Sequence, residues 1–319
     1  MRILVCTNMF PSAARPWSGC FVAEQVDDLR ALGCEIDVLD FDGSVAATEY
    51  LRVVPRLRHR LHASSYDLVH AHYGLSGAVA LAQRRAPIVT TFHGSDTGYV
   101  PWQARLSWVV ARLTSPIFVN SDGARRLGLP KAPVIPMGVD LDRFVPLNRQ
   151  DARRGLGWPN RPTVLFPGAR AQQVKGADLF DATLEDARGR VPDLRAVSLE
   201  GYTRDQVALV MNAVDVMLMT SRSEGSPMTV KEALACVTPV VSVDVGDVAQ
   251  TIAGLVGCAV APRDPRALGS ALVFALAAPR DEALRRRANV FARPEIAARV
   301  LAVYRQTIDA SRTRATASA

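Results

Sequence analysis

A chain of 319 residues, 49% hydrophobic and 22% charged, is long enough for two domains of ordinary size and apolar enough to give each a core. Its apolar runs fall short of the ~20 residues that a membrane span needs. Five scattered cysteines without C-x-x-C spacing suit a reducing compartment and argue against a zinc site. The net charge of +7 fits a phosphorylated substrate or an anionic lipid. With aromatic residues at 6% and no basic–aromatic strip, no nucleic-acid partner is expected.

In chain order, Arg2 to Thr7 reads as a buried strand that starts at once, so no signal peptide and a cytoplasmic location are expected. A loop containing Gly19 leads to a helix over Val22 to Leu32, with Gly33 at its C-cap, and then to a strand over Glu35 to Phe41. This opening resembles a dinucleotide-binding unit, but the G-x-G-x-x-G fingerprint is missing. Tyr50 to His62 alternates apolar and basic residues around an interrupting Pro55. Read as a helix, it is either a solvated basic face or a contact for an anionic membrane or a pyrophosphate-bearing acceptor. Tyr66 to His72 is the next strand, Gly74 to Gln83 a helix, and Ile88 to Thr91 a strand that ends in Phe92-His93-Gly94-Ser95-Asp96. His93 therefore stands at the carboxyl end of a strand. Tyr99 to Leu113 places Trp102, Leu106, Val109, Val110 and Leu113 on one apolar stripe. Asp140-x-Asp142 reads as turn residues and not as a metal site.

The second half begins with a linker, Pro146 to Pro162, rich in Pro, Gly, Asn and Arg. A strand over Thr163 to Phe166 leads into a loop carrying Arg170 and Lys175, two cations able to converge on one diphosphate. A strand over Leu194 to Leu199 and a helix over Asp205 to Ala213 follow. Then come a strand at Val214 to Met219, a polar loop over Thr220 to Gly225, and a helix with Ser226 as N-cap and Pro227 in its first turn. Thr238-Pro239 ends that helix, and Val240 to Val245 is another buried strand. Strand, loop, helix and strand form the repeat of a parallel sheet, whose strand ends and helix starts attract anions. Glu224 and Glu232 bracket this point eight residues apart and suit sugar hydroxyls better than phosphate. Pro294 to Thr307 is an amphipathic helix, and the Arg/Ala/Ser-rich end from Ala310 is expected to fray.

The run SEGSPMTVKEALACVTPVV, residues 223–241, closely resembles the E-x7-E signature of the retaining glycosyltransferases of family 4. Three further stretches are similar to that family: YDLVHAH at 66–72, PMGVDLDRF at 136–144 and PGARAQQVKG at 167–176. The resemblance implies the α/β GT-B fold, two Rossmann-like parallel-sheet domains facing a central cleft. It assigns 1–145 to the acceptor, 146–293 to a nucleoside-diphosphate sugar, and 294–319 to a helix crossing back to the first domain. It implies that Gly19 lets the backbone approach the donor's phosphates, and that His93 hydrogen-bonds the donor sugar. Asp96 would orient His93 or touch the acceptor, with His72 behind it. Arg170 and Lys175, with Ser226 and the amides near Met228 and Thr229, would hold the diphosphate without a metal or other cofactor. Glu224 would meet the sugar hydroxyls or the cationic centre, and Glu232 the ribose diol.

The implied activity is retaining, metal-independent transfer of a hexose-type sugar to a saccharide or lipid-linked acceptor, in cell-surface polysaccharide or glycolipid biosynthesis at the inner face of the membrane. Two departures stand out. The region after Leu199 is compressed, which leaves the base open, and Val237 replaces a glycine, which bears on packing. Two alternatives remain at this point: a nucleotide-sugar epimerase of the same fold, and a non-catalytic partner subunit.

Overall fold

The computed structural model describes residues 1–13, 15, 18–43, 48–98 and 100–317. The chain forms two compact units, Met1–Gly138 with Arg293–Ala319, and Val139–Ala292.

The first unit contains β1 (Arg2–Thr7), α1 (Cys20–Ala31), β2 (Glu35–Asp40), α2 (Thr48–Ala63), β3 (Leu68–His72), α3 (Gly74–Ala80), β4 (Ile88–Phe92), α4 (Pro101–Leu113), β5 (Ser115–Phe118) and α5 (Ser121–Arg126). All five strands are parallel, in the order β2-β1-β3-β4-β5. Their central members are buried throughout, as continuous apolar strands must be when helices cover both faces.

In the second unit follow α6 (Arg149–Gly155), β6 (Thr163–Phe166), α7 (Ala177–Arg188), β7 (Arg195–Ser198), α8 (Arg204–Ala213), β8 (Val216–Met219), α9 (Met228–Ala235), β9 (Val240–Ser242), α10 (Val248–Ile252), β10 (Ala259–Val260), α11 (Pro265–Ala277) and α12 (Ala283–Asn289). The sheet order is β10-β9-β8-β6-β7, again all parallel. The chain then returns to the first unit as α13 (Arg293–Ala317). Arg293 forms a double hydrogen bond with Asp28 of α1, at 2.9 Å and 2.7 Å, which fixes where α13 starts.

Four local expectations are corrected. Residues 146–162 are not a plain linker: Asn148 caps α6 by accepting from the amides of Gln150 and Asp151, and Arg153 on that helix is buried. Pro55 does not interrupt its segment, because α2 runs through it with the ring on the exposed side. The end from Ala310 stays helical to Ala317.

The fourth correction concerns α4, which starts at Pro101, since Tyr99 lies outside the described residues. Its buried side is Ser107, Val110 and Ala111, while Trp102, Val109 and Leu113, expected inside, are 57%, 42% and 64% exposed. Small residues win that contact because α3 and α4 pack closely: a Cβ on Gly77 would stand 2.6 Å from Val110 Cγ1. Periodicity alone marks an apolar face, not which face meets the neighbouring helix.

Candidate active-site residues

In the second unit the chain adds β7 on one side of β6 and β8 on the other. Such a reversal leaves a crevice at the carboxyl ends of β6 and β8, where ligands settle in open α/β sheets. From β6 comes the loop bearing Arg170, then the tight turn Gln173–Lys175; from β8 comes the loop that leads into α9. The two loops are joined through their backbones. Arg222 N donates to Val174 O at 2.7 Å, and Thr220 Oγ1 donates to Gly176 O at 2.9 Å. Gly176 has φ 67°, and a Cβ there would lie 2.3 Å from the Thr220 carbonyl, so this crossing admits only glycine.

That joint sets Lys175 beside Glu224. The Lys175 Nζ donates to Glu224 Oε1 at 2.8 Å, and Ser221 Oγ donates to the same oxygen at 2.7 Å. The two charged side chains are 21% and 14% exposed, so the pair is partly shielded yet open to a ligand. Arg170 and Lys175 do not converge here. Arg170 instead pairs with Asp181 on α7 and lies over the Phe166 and Phe180 rings.

At the start of α9, Pro227 occupies the N-cap position and no side chain caps the helix. The first amides, those of Met228 and Thr229, are left for a ligand. Ser226 is not the cap that its sequence position suggested. Its hydroxyl donates to Asp247 Oδ2 and accepts from Lys231 Nζ, both at 2.5 Å, because the fully buried Lys231 ammonium must be given partners. Burial pushes the Lys231 pKa down, while Asp247 pushes it back up. Glu232 is 1% exposed and accepts from Arg204 Nη1 at 2.7 Å. It lies under an arginine and reaches a ribose only by exchanging that partner.

In the first unit the corresponding reversal falls between β1 and β3. Gly19 stands at the start of α1 with φ 66°, and a Cβ there would lie 2.3 Å from the Met9 carbonyl. The close approach that demands glycine is therefore to its own chain. His93, half-buried at the end of β4, has its Nε2 3.2 Å from Nδ1 of the buried His72. Phe21 of α1 lies against His93, ring centroids 5.2 Å apart. Behind His72, His70 contacts Thr91 Oγ1 through Nε2 at 2.8 Å and the Tyr304 hydroxyl through Nδ1 at 2.5 Å.

Burial pushes His93 down to about 4 and His70 down to about 3, and His72 falls well below its usual range. All three rings are neutral at neutral pH. Asp96 addresses the backbone of His93, not its ring. It accepts from the amides of His93 at 3.1 Å, Gly94 at 3.0 Å and Gly74 at 2.9 Å, and is 1% exposed. Burial raises its pKa to about 6 against those three bonds. The Asp140 carboxylate accepts from the amides of Asp142 and Arg143, a turn of the kind its spacing suggested.

Sequence reasoning missed Ser221, Lys231, Asp247, Arg204 and Tyr304. Lys231 alone carried a signal, a cation next to Glu232 on a short helix whose other buried members are Val230, Ala233, Leu234 and Ala235.

Two parallel five-stranded sheet units of this kind are the architecture of the α/β GT-B fold. The profile of "Glycosyltransferase Family 4" matches residues 21–143, and that of "Glycosyl transferases group 1" matches residues 181–278. The D-inositol 3-phosphate glycosyltransferase of Xylanimonas cellulosilytica is 32% identical over 315 residues, covering 78% of this chain and 75% of that one. TuaC of Bacillus subtilis, named as a teichuronic acid biosynthesis glycosyltransferase, is 26% identical over 343 residues, covering 85% and 88%. Among solved structures, sucrose-phosphate synthase from Thermosynechococcus elongatus superposes with a TM-score of 0.80 at 19% identity, covering 97% and 99% of the two chains. HepE of Anabaena in complex with UDP-glucose gives 0.67 at 16% identity, covering 98% and 100%. The chain belongs to glycosyltransferase family 4.

Proposed function

We propose that this glycosyltransferase moves a sugar, with retention, from a nucleoside-diphosphate sugar to an acceptor hydroxyl in the assembly of a cell-surface polysaccharide or glycolipid. The observation that carries the reading is the Lys175–Glu224 pair at the carboxyl ends of β6 and β8, beside the uncapped start of α9. A nucleotide-sugar donor is supported by HepE, whose structures hold UDP and UDP-glucose. A role in polymer or glycoconjugate biosynthesis is supported by the relationship to TuaC, whose name assigns it to teichuronic acid biosynthesis.

In this mechanism the diphosphate displaces Glu224 from Lys175, and the amides of Met228 and Thr229 complete its cradle. Arg170 joins by swinging from Asp181. The bond between the anomeric carbon and the diphosphate breaks with its electron pair going to the phosphate oxygen, and these groups stabilise the charge in place of a divalent cation. The acceptor oxygen attacks from the same face, and the departing phosphate oxygen takes its proton. Glu224, freed from Lys175, faces the sugar's hydroxyls and cationic centre. His93, at the end of β4 in the first unit, is neutral and brings a hydrogen-bonding ring without charge.

The same reading places the enzyme on an anionic membrane. No helix among the described residues is long and apolar enough to cross one. The helix α4 nevertheless exposes Trp102, Trp108 and Leu113 together with Arg105 and Arg112, and α2, across α3, exposes Arg52, Arg56, Arg58 and Arg60. Interfacial tryptophans and arginines suit lipid headgroups.

Incubation with UDP-, GDP-, ADP- and dTDP-sugars, followed by NMR of the released or transferred sugar, tests the function. Slow release of one unchanged sugar, insensitive to EDTA, is expected. A new epimer, or no reaction with any donor and membrane extract together, contradicts it. Flotation with phosphatidylglycerol vesicles, lost in Trp102→Ser/Leu113→Ser, tests the membrane contact.

A further inference from the structure

At the amino ends of β6 and β8, the sheet edge opposite Lys175 and Glu224, the second unit holds a cavity of about 570 Å³ lined by Arg149, Arg153, Arg161, Arg280 and Asp215. Four guanidinium groups line it with one carboxylate, which pairs with two of them, Arg149 and Arg153. Asp215 is already committed: Oδ2 accepts from Thr163 N and Arg153 Nη2, both at 2.6 Å, and Oδ1 pairs with Arg149. Arg153, 5% exposed, is fixed further by Asn160 Oδ1 at 2.7 Å and Ala213 O at 2.9 Å. Arg280 spends one nitrogen on the carbonyls of Asn212 and Val214, at 2.9 Å and 2.7 Å, and its Nε is buried with no partner. The exposed Arg161 has no ion-pair partner among the described residues. Burial, with Arg149 and Arg153 nearby, pushes Arg280 down to about 10, the expected consequence of crowding cations without enough counter-charge.

We propose that this cavity is a second anion site, separate from the donor crevice, that binds a phosphate-class oxyanion. Arg149 and the exposed Arg161, beside the packed Arg153 and Arg280, offer planar guanidinium nitrogens to the paired oxygens of a phosphoryl group, and the local excess of positive charge selects a dianion over chloride. The ligand is free phosphate, the phosphoryl group of a small molecule, or a lipid headgroup. Occupancy ties Arg161, just before β6, to Arg149 on α6, and the loop that follows β6 carries Lys175 at the strand's other end. An anion here stabilises the unit that holds the donor, without touching the donor.

The test titrates inorganic phosphate against the whole chain at constant ionic strength, following the melting temperature and the calorimetric heat. It compares wild type, Arg161→Gln, Arg149→Gln/Arg161→Gln and Lys175→Ala. A saturable site is expected that weakens about threefold in Arg161→Gln and at least tenfold in the double variant, and is unchanged in Lys175→Ala. Arg161 is exposed and unpaired, so its single variant folds and keeps the test valid should the double variant be unstable. Competition by phosphatidylglycerol vesicles assigns the site to a headgroup, and its absence to a soluble phosphate. No saturable effect beyond that of chloride overturns the proposal. So does a phosphate site lost in Lys175→Ala but intact in both arginine variants, since the anion would then sit in the donor crevice.

Discussion

Lys175 Nζ lies 2.8 Å from Glu224 Oε1, bridging two loops whose residues are 49 positions apart in sequence. The cation proposed for the diphosphate and the carboxylate proposed for the sugar thus hold each other. Lys175→Ala is expected to lower kcat/KM by about 10²–10³-fold, the range for losing one preorganised charge-stabilising group. Glu224→Gln keeps an acceptor for Lys175 and Ser221, so it folds normally and loses roughly 10–100-fold in kcat. Steady-state kinetics of both variants check this, with thermal unfolding to confirm that they are intact.

The Tyr304 hydroxyl meets Nδ1 of His70 inside the first unit, where both residues are fully buried. Tyr304→Phe keeps the packing but leaves a buried ring nitrogen without its partner. A loss of about 1–3 kcal/mol is expected, read as a lower denaturant midpoint with an unchanged slope.

Acid should unfold the first unit earlier than its carboxylates alone require. His70 titrates at about 3 when folded, against an ordinary value of 6.5. Between those values the unfolded chain binds more protons, so stability present above pH 6.5 is lost as the pH falls through that window. By pH 4 the effect is roughly 3 kcal/mol for His70 alone. Asp96, raised to about 6, acts in the opposite direction between about 3.8 and 6, which blunts the loss without reversing it. Denaturant unfolding at pH 7, 5.5 and 4.5 checks the slope, which in His70→Gln should fall by about 1.4 kcal/mol per pH unit and keep its sign, because His72 and His93 remain buried and neutral.

Val237 adopts φ 57° just past the end of α9, where Thr238 N donates to Ala233 O at 2.8 Å and closes the helix. A β-branched residue in that conformation is strained, and Val237→Gly removes the clash. Because Val237 is only 4% exposed, the relieved strain is outweighed by about 1.5–3 kcal/mol of lost burial, and a net loss of about 1 kcal/mol, or roughly 2–4 °C in Tm, is expected with kinetics unchanged. Differential scanning calorimetry measures it.

Much of the fold was legible because buried parallel strands are short apolar runs with punctuated ends; Arg2–Thr7 and Thr163–Phe166 match residue for residue. The α4 face was not, because the choice between packing through Val110 or through Trp102 is made by α3, which is no part of the pattern. Strand ends likewise put His93 and Glu224 in view. Their partners depend on where separate loops cross, as Gly176 and Thr220 do, and on buried charges such as Lys231 and Asp247, which tertiary contact alone brings together. Ser226 shows the same limit: its spacing fits a helix cap, but a buried ammonium claims its hydroxyl.

The most direct test of the central claim is calorimetric titration of nucleoside-diphosphate sugars into wild type and Lys175→Ala. One donor should bind the wild type and bind the variant at least tenfold more weakly, while inorganic phosphate at the arginine cavity is unaffected. If no donor binds, or if the affinity is the same in Lys175→Ala, the crevice between β6 and β8 does not hold the donor through Lys175, and the mechanism built on the Lys175–Glu224 pair is wrong.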